Sequence, residues 1–191
     1  MRLFVALDLP ETVRQKFGEL IATIEKECPD ARWVRAEGIH VTLKFIGHIE
    51  DKNLDSICAA LAPIRSEAPV EIVFRGLGFF PNERRPRVMF CGVEASPNLA
   101  GLAGDIDRGL EPLGIPRESR QFVPHLTLAR LEPGKIPPGE AQKLVRAAQT
   151  LEGKSLGSAR ETDFFLFESI LKHTGAEYKK LQAFPFVKGS E

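Results

Sequence analysis

The chain has 191 residues, 43% hydrophobic and 27% charged, with 26 basic residues balanced by 26 acidic ones. That composition fits a soluble globule with a sizeable core. A formal net charge of zero excludes a protein that coats nucleic acid along a broad basic track, so any contact with a polyanion has to be local.

Residues 2–9 read as a buried strand closed by Pro10, too short and too alternating for a signal peptide. From Glu11 to Cys28, Val13, Phe17, Leu20, Ile21 and Ile24 recur at helical spacing, and Pro29 lies just past the end. Residues 33–35 suit a short strand, and Gly38 precedes a longer one over 39–46 that stops at Gly47. A second helix starts at Asp51, with Leu54, Ile57, Cys58 and Leu61 on one face and Pro63 closing it. Strands follow over 70–79 and 87–93, joined through a turn at 79–82. Ser96-Pro97 reads as an N-cap with proline in the first turn of a helix carrying Leu99, Leu102, Ile106 and Leu110.

A polar approach over 117–123 leads to a strand at 125–131, which Pro133-Gly134 ends. A helix is expected over 140–150, with Leu144, Val145 and Ala148 inward. Residues 164–171 form a strand, Thr174-Gly175 a turn, and Tyr178 to Phe186 the return, making a hairpin. Paired strands among helices point to α+β and not to a doubly wound parallel sheet. The scattered Cys28, Cys58 and Cys91 argue against a disulfide framework or a cysteine zinc site and suit a reducing cytosol. No apolar run reaches transmembrane length, so no membrane contact is expected and the chain reads as cytoplasmic.

Two stretches in this pass share one pattern: His40-Val41-Thr42-Leu43 and His125-Leu126-Thr127-Leu128. Residues i and i+2 of a strand share a face, so His40 projects with Thr42 and His125 with Thr127 while their apolar neighbours turn to a core. Imidazole titrates near neutrality, so one ring can take a proton while the other gives one. Metal-free phosphodiester cleavage needs that division of labour, and the two hydroxyls can bind non-bridging phosphate oxygens. No metal-ligand motif and no Walker-type glycine loop accompanies the pair, and no metal or cofactor is expected.

With both motifs in place, the chain resembles the 2H phosphoesterase superfamily, and more closely its RNA 2′,3′-cyclic phosphodiesterases of the LigT type, also called 2′-5′ RNA ligase-like proteins. The resemblance rests on Arg2-Leu3-Phe4-Val5-Ala6-Leu7, on His40 through Gly47, on Phe122 through Arg130, and on a tail running from Leu166-Phe167-Glu168-Ser169 through Tyr178 to Phe184-Pro185-Phe186. It implies a single bilobal, pseudo-twofold domain over 1–191, with two antiparallel β-sheets, flanking helices and a central cleft. It also implies hydrolysis of an RNA 2′,3′-cyclic phosphate end to a 2′-phosphate, with His40 protonating O3′ and His125 activating water. By sequence alone the two roles are interchangeable. Run backwards, the same machinery would join a 5′-hydroxyl to a cyclic phosphate.

Among supporting residues, Thr42 and Thr127 are candidate phosphate ligands. Lys44 shares the face of His40 by alternation and is a candidate at the cleft margin. Arg130 falls on the opposite face from His125 and needs a bulge to reach the phosphate. Arg84, Arg85, Arg87, Arg117 and Arg120 are candidate electrostatic contacts to RNA. Base-stacking candidates are Phe4, Phe45, Phe79 and Tyr178, with Phe45 alternating toward the core. His48 and His173 lack a threonine partner and are read as exposed and non-catalytic. The expected partner is RNA with a cyclic phosphate end, or a cyclic nucleotide, and the protein is expected to be a monomer. Two other readings stay open: a phosphodiesterase for another small cyclic phosphate or a 2′-5′ oligonucleotide, and a non-catalytic RNA-binding module.

Overall fold

The computed structural model describes residues 1–172 and 175–186, which leaves His173 and the expected turn at Thr174 outside the described residues. In chain order the elements are β1 (Arg2–Asp8), α1 (Glu11–Ile24), β2 (Arg32–Trp33), β3 (His40–His48), α2 (Leu54–Leu61), β4 (Val70–Phe80), β5 (Val88–Ala95), α3 (Asn98–Leu110), β6 (His125–Arg130), α4 (Pro138–Gln149), β7 (Ser155–Glu161), β8 (Asp163–Lys172) and β9 (Gly175–Pro185). The class is α+β. No helix among the described residues is long and apolar enough to cross a membrane.

The strands form one antiparallel sheet in the order β7-β4-β5-β6-β3-β1-β8-β9, with β2 set against β6. The two expected sheets are thus two four-stranded halves, joined where Val41 of β3 faces Leu126 of β6. Each half of the chain runs strand, helix, motif strand, helix, strand. Strand β4, at the end of the first run, pairs with β5 and β7 of the second, and β8, which follows the second run, returns to pair with β1 and with β9. The half containing β6 is therefore built from one stretch, residues 70–161, whereas the half containing β3 joins the two ends of the chain. Strand β7 lies outside the expected strands, because Ser155–Glu161 shows little apolar alternation; it forms an edge, held by pairing to β4.

The helices cover one face. Val13, Phe17 and Ile21 of α1 pack in one core with Leu99, Leu102 and Ile106 of α3, and with Val41, Leu43, Leu126 and Leu128 of the motif strands. Phe17 meets Phe74 of β4 edge-on at 5.3 Å. Leu144, Val145 and Ala148 of α4 form a second cluster with Phe79, Met89 and Ala129. Ser96 does not cap α3. Its hydroxyl instead donates to Asn98 and accepts the Glu71 amide, tying the helix start to β4.

Each motif strand carries a bulge three residues after its histidine. In the β1–β3 ladder Val5 faces Lys44 and Ala6 faces Thr42, which leaves Leu43 without a partner. In the β5–β6 ladder Met89 faces Ala129 and Phe90 faces Thr127, which leaves Leu128 without one. The skipped residue resets the alternation. Leu43 and Lys44 are both buried, as are Leu128 and Ala129, and the next residues, Phe45 and Arg130, swing back to the face of the histidines.

This corrects the expectation for Lys44. The bulge turns it away from His40 and into the helical side, where it is only 6% exposed. Its ammonium is bonded to Asp107 of α3 and donates to the Pro116 carbonyl at 2.6 Å. Asp107 also accepts the Glu118 amide and pairs with Arg117 at 3.5 Å. Burial alone would raise the Asp107 carboxyl, but these donors hold it below the usual carboxylate range. Lys44 is thus a clamp between the first motif strand and the segment entering the second, and Arg117 belongs to the same clamp.

Removing one partner leaves a buried charge uncompensated, which costs roughly 3–5 kcal/mol in dry sites. Asp107→Ala should lower stability by about 3 kcal/mol in denaturant titration, while Asp105→Ala, in the exposed pair with Arg108, should change it by less than about 0.5 kcal/mol. Equal losses in the two variants would refute the clamp.

Candidate active site

With Val41 and Leu126 turned to the core, the antiparallel register brings His40 and Thr42 beside Thr127 and His125 on the opposite face. Both rings are fixed in the same way. His40 Nδ1 lies 2.7 Å from the Gly38 carbonyl, and His125 Nδ1 lies 2.9 Å from the Val123 carbonyl. A carbonyl only accepts, so in each ring Nδ1 carries the hydrogen and Nε2 is left for substrate. Neither threonine hydroxyl has a protein partner among the described residues, although both side chains face the site half-buried.

Each histidine rests on a pair of stacked phenylalanines. Phe4 and Phe167 stack at 5.2 Å on the His40 side, with Phe4 4.7 Å from the imidazole. Phe80 and Phe90 stack at 4.1 Å on the other side, with Phe80 edge-on to His125 at 5.0 Å. Two glycines permit this packing. A Cβ at Gly78 would lie 2.7 Å from the Phe90 ring, and one at Gly38 would lie 3.2 Å from Tyr178.

The symmetry is broken at Tyr178, which stands edge-on to His40 at 4.9 Å and closes that side into an aromatic box. Burial there pushes His40 down to about 4, against the opposing pull of the Gly38 carbonyl and the Asp8 carboxylate; the charges of Arg130 and His125 push the same way as burial. Asp8 sits opposite His40 in the β1–β3 ladder and is itself bonded to Arg14 and Lys180.

The other expected residues divide clearly. Arg130, which needed a bulge, has one: it is exposed and close enough to act electrostatically on His40. Phe45, expected in the core, is 58% exposed and 6.2 Å from Phe4, on the site face. Phe79 is buried under α4, and Phe4 and Tyr178 pack against His40. His48 is exposed and pairs with Arg2 at the far end of β3. Arg120 is exposed. Sequence reasoning missed the part played by Tyr178 and the stacked phenylalanine pairs, because a phenylalanine in a strand reads as core on either face.

The family described as LigT like Phosphoesterase matches residues 7–90 and 92–175. His40 lies 33 positions after residue 7, and His125 lies 33 positions after residue 92. The RNA 2′,3′-cyclic phosphodiesterase of Archaeoglobus fulgidus is 35% identical over 187 residues, covering 96% of this chain and 99% of that protein. The crystal structure of the Thermus thermophilus protein TT0787 superposes with a TM-score of 0.77 at 32% identity, covering 97% and 98% of the two chains. Escherichia coli LigT complexed with 3′-AMP gives 0.74 at 25% identity, covering 98% of each chain.

The box around His40 makes stability depend on pH. An unfolded histidine takes a proton near 6.5, the folded one near 4. Between those values the unfolded chain binds more protons, so this group weakens the fold as pH falls from about 6.5 to 4, by up to about 3 kcal/mol. Glu161 works in the opposite sense: burial, with Asp8 and Asp163 nearby, raises it to about 7. The His40 contribution is therefore read as a difference. Wild type should lose stability relative to His40→Asn across that window in denaturant titrations; parallel curves would contradict the box.

Proposed function

The chain belongs to the LigT-like phosphoesterase family, and on that footing we propose that it hydrolyses 2′,3′-cyclic phosphate ends of RNA to 2′-phosphates. The observation that carries this reading is the facing pair of His-x-Thr strands. Among the described residues, each histidine offers one free Nε2 and each threonine one unpartnered hydroxyl.

In this reading Thr42 and Thr127 bind the non-bridging oxygens of the cyclic phosphate, and Arg130 adds its charge. His125 Nε2 takes a proton from water as the water oxygen attacks phosphorus. The P–O3′ bond breaks on the far side, and His40 Nε2 delivers the proton that O3′ needs. The product is a 2′-phosphate with a free 3′-hydroxyl. Proton transfer by two positioned groups supplies what metal-bound water would otherwise supply, so the reaction needs no metal. The reverse passage would form a 2′-5′ linkage.

The low proton affinity of the free His40 ring has a consequence for this scheme. The ring is neutral near pH 7 before substrate arrives. A phosphate anion seated between the threonines favours the imidazolium, so the acid is charged by binding the substrate it will protonate. Phe45, exposed beside the site, offers a face for a base. The whole chain, 1–191, acts as one bilobal monomer. Three free thiols fit a reducing cytosol as its compartment.

Product analysis on an RNA ending in a 2′,3′-cyclic phosphate tests the scheme. A 2′-phosphate is expected, formed at an undiminished rate with excess chelator; a 3′-phosphate would overturn the assigned roles. His40→Ala and His125→Ala should each lower kcat by roughly 10³-fold or more, and Thr42→Ala or Thr127→Ala by on the order of 10². Wild-type turnover by either histidine variant would sink the mechanism.

A further inference from the structure

We propose that the loop joining β4 to β5, residues 81–87, is a docking surface for the phosphates of the RNA strand that precedes the cyclic end. The inference rests on the phosphodiesterase reading for the identity of the polyanion.

The loop is an extension of the active site. It leaves β4 at Phe80, whose ring contacts His125, and rejoins the sheet at Val88, which faces Arg130 across the β5–β6 ladder. At its base the Arg87 amide donates to the Phe80 carbonyl at 2.8 Å, and the Leu131 amide donates to the Arg87 carbonyl at 2.8 Å. Its tip is ordered as well: the Asn82 side-chain oxygen accepts the amides of Arg84 and Arg85 at 3.0 and 3.1 Å.

The loop carries Arg84, Arg85 and Arg87, all exposed. None of the three has an ion pair or a side-chain hydrogen bond among the described residues. Elsewhere the guanidiniums of Arg14, Arg32, Arg75, Arg108, Arg117 and Arg160 are matched to carboxylates. In a chain whose charges sum to zero, the loop is thus a place where positive charge is left uncompensated. Glu83, whose carboxylate accepts from Gln149 of α4, offsets one of these charges and leaves the loop with a net charge of +2. With exposed Arg130 beside the loop, the uncompensated charge runs from the rim of the catalytic cleft outward. Three guanidiniums within four residues repel one another in the free protein, and a polyphosphate relieves that repulsion while releasing its counterions. A mononucleotide has no phosphate to reach the loop, whereas an oligonucleotide does.

The test compares a 2′,3′-cyclic mononucleotide with a short oligoribonucleotide ending in the same cyclic phosphate, using wild type and Arg84→Ser/Arg85→Ser/Arg87→Ser. Binding of the 2′-phosphorylated oligonucleotide is measured in parallel over a salt series. The triple variant should keep mononucleotide kcat/KM, lose about tenfold for the oligonucleotide, and show a salt slope shallower by about 2, from about 0.7 per lost phosphate contact. The triple lysine variant should restore most of the oligonucleotide binding, because charge and not geometry is required. Unchanged oligonucleotide binding in the serine variant would overturn the proposal. So would equal losses on both substrates, which would place the loop in the catalytic site or in folding. If wild type hydrolyses neither substrate the phosphodiesterase reading fails, and the binding series still decides the loop.

Discussion

Val41 and Leu126 meet at the centre of the sheet, and their burial settles which way every neighbouring side chain points. A register slip of one residue in either strand would send a histidine into the helical core and a leucine into the cleft. The core forbids that exchange, because it would bury an imidazole among aliphatic side chains and expose an aliphatic one. The site is thus held in place by residues that never touch it. The Lys44–Asp107 clamp works beside this constraint, tying the first motif strand to the segment that enters the second.

Two halves of similar pattern have produced a site whose members differ. Both histidines lose the choice of tautomer to a carbonyl two residues back, and both lie on stacked phenylalanines. Tyr178 and Asp8 are the additions on one side only. They place His40 in a drier setting than its counterpart, with a carboxylate partly offsetting the loss of water. Burial favours the neutral ring in the free protein, so an acid role for His40 depends on a bound anion that charges it.

Much of this was legible in the chain itself. The two His-x-Thr strands could be read because strand period is rigid over three residues, and the helices because their apolar spacing is regular. Lys44, Phe45 and Arg130 mark where that reading fails. Each lies beyond a bulge, and a bulge depends on which residue the neighbouring strand skips, which is a property of two segments and not of one. Strand β7 escapes sequence reasoning for a related reason: it pairs along an edge and has little buried face to show in its pattern. The stacked phenylalanines give no local sign of which face they occupy.

The return of β8 to pair with β1 also bears on how the chain comes off the ribosome. When roughly the first half of the chain has emerged, β1 has β3 on one side, but its other edge waits for β8, which begins only at Asp163. Until β8 and its hairpin partner arrive, an apolar strand edge stays open to any other extended segment. Phe4 and Ala6 lie bare through the same interval, since Phe167 and Tyr178, which cover them, come with the last hairpin. The aromatic box around His40 and the protection of that edge are completed by one event, so a chain truncated before its final hairpin would both lack the box and be prone to associate.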